Sequence, residues 1–178
     1  MAYWYGLNGG RVLALDSDPA KDVKEWEVKR KNLNRNIPFT IAEFDQYGIA
    51  ELRRNDCEWD LVFIDCPQDR SDFGNLIMRV SDVIITPIYL GALDVDALEM
   101  MESNEIFSER PKLIVINRVF YHQLKSEASE LEWVEEFCYR MQCQYVVLHD
   151  RKEFMNVGWG IMPWDTQRFF RLFAGNFF

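Results

Sequence analysis

The sequence predicts an α/β fold with a mostly parallel sheet flanked by helices. Three observations carry that expectation: short apolar runs closed by polar or proline signals, longer amphipathic stretches between them, and a composition suited to one packed core. The chain has 178 residues, 48% hydrophobic and 28% charged, which places it in the globular class and away from intrinsic disorder. That length fits a single domain spanning residues 1–178, with no linker or repeat to mark a boundary.

Six segments read as strands: Arg11 to Asp16, Pro38 to Phe44, Asp60 to Asp65, Asp82 to Pro87, Lys112 to Asn117 and Gln144 to Leu148. Most are continuous apolar runs, the pattern of strands covered by helices on both faces of a parallel sheet. Helices are expected over Asp45 to Asn55, Asp69 to Val80, Ala92 to Ser108, Gln123 to Met141 and Asp165 to Phe173. The fourth is clearest, with Leu124, Ala128, Leu131, Val134, Phe137 and Met141 at helical spacing. The charged run Lys21 to Arg35 is either a solvated helix or a loop, and a partly ordered surface segment is the favoured reading. Gly9 and Gly10 precede a strand, so they are read as a helix C-terminal turn and not as a phosphate cradle.

Net charge is −9, so contact with nucleic acid or anionic membrane requires a local basic patch. No apolar stretch approaches the roughly eighteen residues of a spanning helix, and no secretory leader is visible, so the expected compartment is the cytoplasm. Cys57, Cys66, Cys138 and Cys143 lack CxxC spacing, and with only two histidines neither zinc nor a disulfide framework is expected.

In a parallel sheet, functional residues gather at the carboxyl ends of strands. Here those ends read Asp16-Ser17-Asp18-Pro19, Asp65-Cys66-Pro67, Asn117-Arg118 and His149-Asp150-Arg151. An aspartate ending an apolar strand is by itself an ordinary helix cap. Two such strands bring up to three carboxylates to one edge, which is costly unless a cation or a reacting water uses them.

The blocks RVLALDSDPA, WDLVFIDCPQDRSD, SDVIITPIYLGALDVDAL, KLIVINRV and VLHDRKEFMNVGWGIMPWD, in this order, resemble the ParA/MinD-type partition and positioning ATPases, which are deviant Walker P-loop nucleotidases. The resemblance implies a P-loop NTPase-like three-layer sandwich with ATP and Mg2+ as cofactors. It implies that Asp65, with Asp16, holds magnesium mainly through water, and that Asp16 and Asp18 form a switch ordering the attacking water. Asp16, Asp18 and Asp65 are thus the expected catalytic residues, while Asn117 would recognise adenine and Arg151 or Arg118 would bracket the base. A homodimer, a ParB-like DNA-binding adaptor and nonspecific DNA are the implied partners. A membrane surface is a weaker expectation, resting on the aromatic stretch TQRFFRLFAGNFF, and Arg140, Arg151, Lys152, Arg168 and Arg171 are the candidate DNA-facing cations.

The sequence departs from the family at one block: none of its nine glycines begins GxxxxGK[ST], and none is followed by lysine. Residues Met1 to Asn8 match the end of the helix that follows the family's phosphate loop, so a chain truncated at the N-terminus relative to the family is expected. Cys66 also stands where the family usually has threonine, and Gln68 where proline or glycine is common. DNA partition through an ATP-dependent dimer is the leading expectation. A MinD-like membrane-associated positioning ATPase and a nucleotide-free interaction module are the alternatives.

Overall fold

The computed structural model describes residues 1–45, 48–52, 58–66, 72–119 and 128–149. The described residues up to Val80 form one compact unit and those from Ser81 onward a second.

The first unit runs α1 (Ala2–Leu7), β1 (Val12–Asp16), α2 (Asp22–Asn32), β2 (Thr40–Glu43), α3 (Gly48–Leu52), β3 (Leu61–Asp65) and α4 (Asp72–Val80). Its three strands form a wholly parallel sheet in the order β2-β1-β3. The central strand β1 buries Val12, Ala14 and Leu15. Leu15, Phe44, Ile49 and Ile77 form a core cluster, with Val62, Ile64, Phe73 and Val80 packed against it. Phe73, Ile77 and Val80 recur at the four- and three-residue steps of one helix face, which is why α4 lies on this core. At the opposite end of β1, the Arg11 guanidinium and backbone N–H both donate to the Asp60 carboxylate, at 2.7 Å and 2.8 Å, tying the start of β1 to that of β3.

Helix α1 closes on the Gly9–Gly10 turn expected from the sequence. Gly9 has φ 88°, and the Gly9 and Gly10 N–H groups donate to the Gly6 and Tyr5 carbonyls, each at 3.1 Å. A left-handed residue here lets the chain reverse while satisfying the last helical carbonyls.

The charged run after β1 is an ordered helix, α2, with no apolar stripe. It is held by aromatic and cationic contacts instead. Trp26 stacks on Phe39 with ring centroids 5.8 Å apart, and the guanidinium of Arg30, a residue only 4% exposed, lies 5.0 Å from the Tyr3 ring and 5.1 Å from that of Trp26. It also donates to the Asn36 carbonyl (2.7 Å) and the Tyr3 hydroxyl (3.2 Å). The favoured reading of this run as a partly ordered surface segment is thus replaced by a helix anchored through one buried arginine.

The second unit runs β4 (Ile84–Ile88), α5 (Ala92–Glu102), α6 (Glu105–Glu109), β5 (Lys112–Val119), α7 (Ala128–Arg140) and β6 (Gln144–His149). Its sheet is parallel in the order β4-β5-β6. β5 is paired on both edges, and its residues Leu113 to Ile116 are all buried, as the unbroken apolar run requires. Val134, Phe137 and Cys138 bury the inner face of α7, and Leu98 and Phe107 are the buried residues of α5 and α6.

The single helix expected over Ala92 to Ser108 is two. The Asn104 side chain accepts from Ile106 N–H (3.0 Å) and Phe107 N–H (3.3 Å), so it ends one helix and caps the next. The expected helix starting at Gln123 is described from Ala128, and Asp165 to Phe173 lies outside the described residues.

Replacing Arg30 by alanine is expected to destabilise the first unit by about 2 kcal/mol, combining lost cation–π and hydrogen-bond contributions. Arg30→Lys recovers little of this, because an ammonium lacks the planar fork that stacks and donates at once. Urea unfolding followed by tryptophan fluorescence checks both variants.

Candidate functional site

β1 and β3 run in parallel register from Val12↔Leu61 to Asp16↔Asp65, so the two strand-end aspartates are cross-strand partners. Backbone and hydroxyl bonds lock this edge. Ser17 N–H donates to the Asp65 carbonyl at 3.1 Å, the Ser17 hydroxyl donates to the same oxygen, and Phe44 N–H donates to the Asp16 carbonyl at 3.0 Å. All three strand ends of the sheet are thus tied through two carbonyls.

The Asp16 side chain is wholly buried, with 0% exposure. Its Oδ2 accepts from the Lys24 N–H at 3.0 Å, in the first turn of α2, where a carboxylate meets the unpaired amides and positive end of the helix. Its Oδ1 finds no hydrogen-bond partner among the described residues. A buried carboxylate oxygen without a donor is costly and calls for a water, a cation or a proton.

Asp18 shapes the turn between β1 and α2. Its Oδ1 accepts from Ala20 N–H at 2.8 Å and its carbonyl from Lys21 N–H at 3.0 Å. Lys21 then adopts a left-handed conformation, φ 57°, immediately before α2. Asp65 sits at the exposed tip of β3. Partial burial of its carboxyl group, and then the charges of Asp16, Asp18 and Asp22, hold its pKa above the ordinary carboxylate range. Desolvation at the same strand end, followed by the Asp65 charge, pushes the Cys66 thiol up to about 11.

The structure therefore brings Asp16, Asp18 and Asp65 to one edge and adds two groups that the sequence reading does not single out. Ser17 supplies the hydroxyl that locks β1 to β3, and Asp22 contributes negative charge from the first position of α2. The available signal for Asp22 is its place four residues beyond Asp18 at the start of the charged run; treating that run as surface hides it.

A divalent ion with a hard, oxygen-seeking shell fits this edge. Magnesium keeps several waters and needs only one or two carboxylates, and the orphaned Asp16 Oδ1 and the proton-holding tendency of Asp65 both mark unmet demand for positive charge. Among the described residues no group of three or more His, Cys, Asp or Glu side chains is arranged to grip a metal directly. Alongside the edge, a depression of about 490 Å³ is lined by Lys21, Lys24, Glu25, Glu27, Val28, Lys29 and Glu43.

In the second unit Asn117 lies at a break in the β5–β6 register, between the pairs Ile116↔Val147 and Val119↔His149. One extra residue there interrupts the ladder at the carboxyl end of β5, a device that re-aims side chains at strand ends. Arg118 shares this irregularity through its backbone, while its side chain and the whole of Arg151 lie outside the described residues. Of the candidate DNA-facing cations, Arg140 is engaged within its own unit. Its guanidinium donates to the Glu102 carboxylate at 3.1 Å and 3.3 Å and lies 5.7 Å from the Trp133 ring centroid. Among the described residues no helix is long and apolar enough to cross a membrane.

A scan against protein-family models and a search of curated proteins find no match. Solved structures are similar. The MinD cell division protein of Aquifex aeolicus superposes with a TM-score of 0.59 at 15% identity, over 86% of this chain and 75% of that one. The MinC:MinD cell division protein complex of the same organism gives a TM-score of 0.60 at 16% identity, over 88% of this chain and 77% of that one. At such identity the likeness is one of fold, and it is the α/β fold that the sequence predicts.

The two paired aspartates are expected to respond oppositely to substitution. Asp16→Ala removes the acceptor of the Lys24 N–H at the α2 N-terminus and destabilises by about 1–2 kcal/mol. Asp65→Asn removes repulsion and stabilises by about 0.5 kcal/mol at neutral pH, allowing for solvent screening of an exposed group. A raised folded-state pKa means that ionising Asp65 costs the native state. Wild-type stability therefore falls as pH rises through that pKa, and the advantage of Asp65→Asn vanishes below it. Urea midpoints of the three proteins across acid to neutral pH check the signs.

Proposed function

We propose that the edge formed by Asp16, Asp18 and Asp65 is the magnesium–triphosphate switch of a ParA/MinD-type ATPase, serving DNA segregation through an ATP-dependent dimer. The supporting observation is the register pair Asp16↔Asp65 with a buried, partnerless Asp16 Oδ1, an oxygen whose unmet demand for positive charge suits a hydrated cation. Bound Mg2+ would neutralise charge on the phosphates. Asp65 and Asp16 would hold the ion's water shell and Asp18 would order the attacking water; Asp18 and the left-handed Lys21 shape the turn between β1 and α2, and Ser17 keeps the two strand ends level.

The sequence holds no GxxxxGK[ST] loop, so the lysine that offsets charge on a transferred phosphoryl group is not among its 178 residues. The reading therefore pairs nucleotide binding with no turnover by this chain on its own. A cytoplasmic location and a ParB-like adaptor belong to the same proposal. A MinD-like positioning ATPase has equal standing, because the solved structures of this fold named above are MinD proteins, one in complex with MinC.

Calorimetric titration with ATP is expected to show Mg2+-dependent binding that weakens at least about tenfold in Asp65→Ala, equivalent to about 1.4 kcal/mol. No phosphate release is expected until a lysine-bearing loop is supplied in the same reading frame. Binding indifferent to Mg2+ and to Asp65→Ala, or ATP turnover by the chain alone that Asp65→Ala removes, would contradict the proposal. ATP-dependent retention on DNA supports segregation, and retention on anionic liposomes supports the positioning reading.

A further inference from the structure

The turn joining α7 to β6 holds two cysteines against each other. Cys143 N–H donates to the Cys138 carbonyl at 2.9 Å, Gln142 N–H donates to the Tyr139 carbonyl at 3.3 Å, and Gln142 is left-handed with φ 49°. This nested pair of bonds around a left-handed residue brings together the side chains at its first and last positions, which are ordinarily an apolar contact. Here both positions are thiols. With standard backbone bond lengths, the 2.9 Å link keeps the two Cα atoms within about 6.8 Å, inside the span of a disulfide. Cys138 is 5% exposed, whereas Cys143 is partly open to solvent.

A lysine stands level with the more exposed thiol. The first β5–β6 pair is Leu113↔Gln144, so Lys112 aligns with Cys143 one residue earlier. Lys112 is 4% exposed; its Nζ donates to the Ser108 carbonyl at 2.9 Å and lies 5.2 Å from the Phe107 ring centroid, so its charge is confined to this corner. The neighbouring Cys138 thiol, opposed by burial and helped by the Lys112 charge, holds Cys143 below the ordinary thiol range. The Cys143 sulfur, with burial and the Glu135 charge, pushes Cys138 up. Glu135 in turn accepts from the Tyr145 hydroxyl at 2.7 Å.

The geometry points to a reversible redox site in which Cys143 is the attacking thiolate and Cys138 the resolving thiol, oxidised by hydroperoxides to an intramolecular disulfide. The Cys143 thiolate attacks a peroxide oxygen and the O–O bond breaks. The departing hydroxide takes up a proton to become water, leaving a sulfenic acid on Cys143. The Cys138 sulfur then displaces the sulfenic hydroxyl, forming the S–S bond, and its proton leaves with that hydroxyl as a second water. Two thiols lose two electrons and two protons, and one hydrogen peroxide becomes two waters. Cys66, exposed at the carboxyl end of β3 in the first unit, is the internal comparison thiol.

The test treats the full chain with one equivalent of hydrogen peroxide and maps its peptides by mass. A Cys138–Cys143 linkage that dithiothreitol reverses, with Cys66 still a thiol, is the expected result. In Cys138→Ala the sulfenic acid on Cys143 should persist and be captured by dimedone, and Lys112→Met should slow capture at neutral pH by about threefold or more. Oxidation without the 138–143 linkage, or dimedone labelling of Cys66 or Cys57 equal to that of Cys143, overturns the proposal. If Cys138→Ala does not fold by circular dichroism, iodoacetamide labelling of the wild type decides the matter. Cys143 reacting about tenfold faster than Cys66 supports the site, and equal rates refute it.

Discussion

Five parallel pairs between β1 and β3 decide what the first unit of this protein is able to do. In a parallel ladder two strands advance together, so whatever ends one is carried level with whatever ends the other. Both strands end in aspartate, and the Ser17 and Phe44 bonds to the Asp65 and Asp16 carbonyls keep these ends from slipping. A one-residue shift would turn Asp16 out of the site and drive Leu15 away from the Phe44–Ile77 cluster, so core packing and acidic edge enforce the same register.

The edge is arranged against its own stability. Asp16 is buried with one oxygen unpartnered, and Asp65 resists ionisation beside three other carboxylates. What offsets this is local: the α2 amides facing Asp16, and apolar burial along β1 and α4. This conflict between local electrostatics and global packing is what the proposed cation site rests on. Asp60 offers the contrast. It closes the other end of the same strand pair with three bonds from Arg11, which hold its carboxyl below the usual range, and both its oxygens are partnered.

Helix endings do unusual work in this chain. α1, α2 and α7 each close around a left-handed residue, Gly9, Asn34 and Gln142, with the same nested pair of backbone bonds. In α2 the closure begins at Arg30 and turns the chain so that the Asn36 carbonyl meets the guanidinium; in α7 it sets Cys138 beside Cys143. One backbone motif thus serves packing in one place and chemistry in another, and the side chains at its ends decide which.

The alternation of apolar strands with amphipathic helices, all six strands, and the strand-end positions of Asp16 and Asp65 were legible in the residues alone, whereas β5 runs past Asn117 to Val119. Apolar runs and their polar stops report burial and chain direction directly, and the Gly9–Gly10 turn follows from backbone permissiveness. The helix after β1 was not legible, because a run without an apolar stripe folds through Arg30, Trp26 and their distant partners Tyr3 and Phe39. Nor was the break at Asn104, where one side-chain cap outweighs continuous helical periodicity. The sequence by itself determined that Asp16 and Asp65 end strands. Only the tertiary structure decided that Asp16 faces Asp65, that Asp22 joins them, and that Lys112 stands level with Cys143, because register between segments distant in the chain is chosen by packing, which no local pattern records.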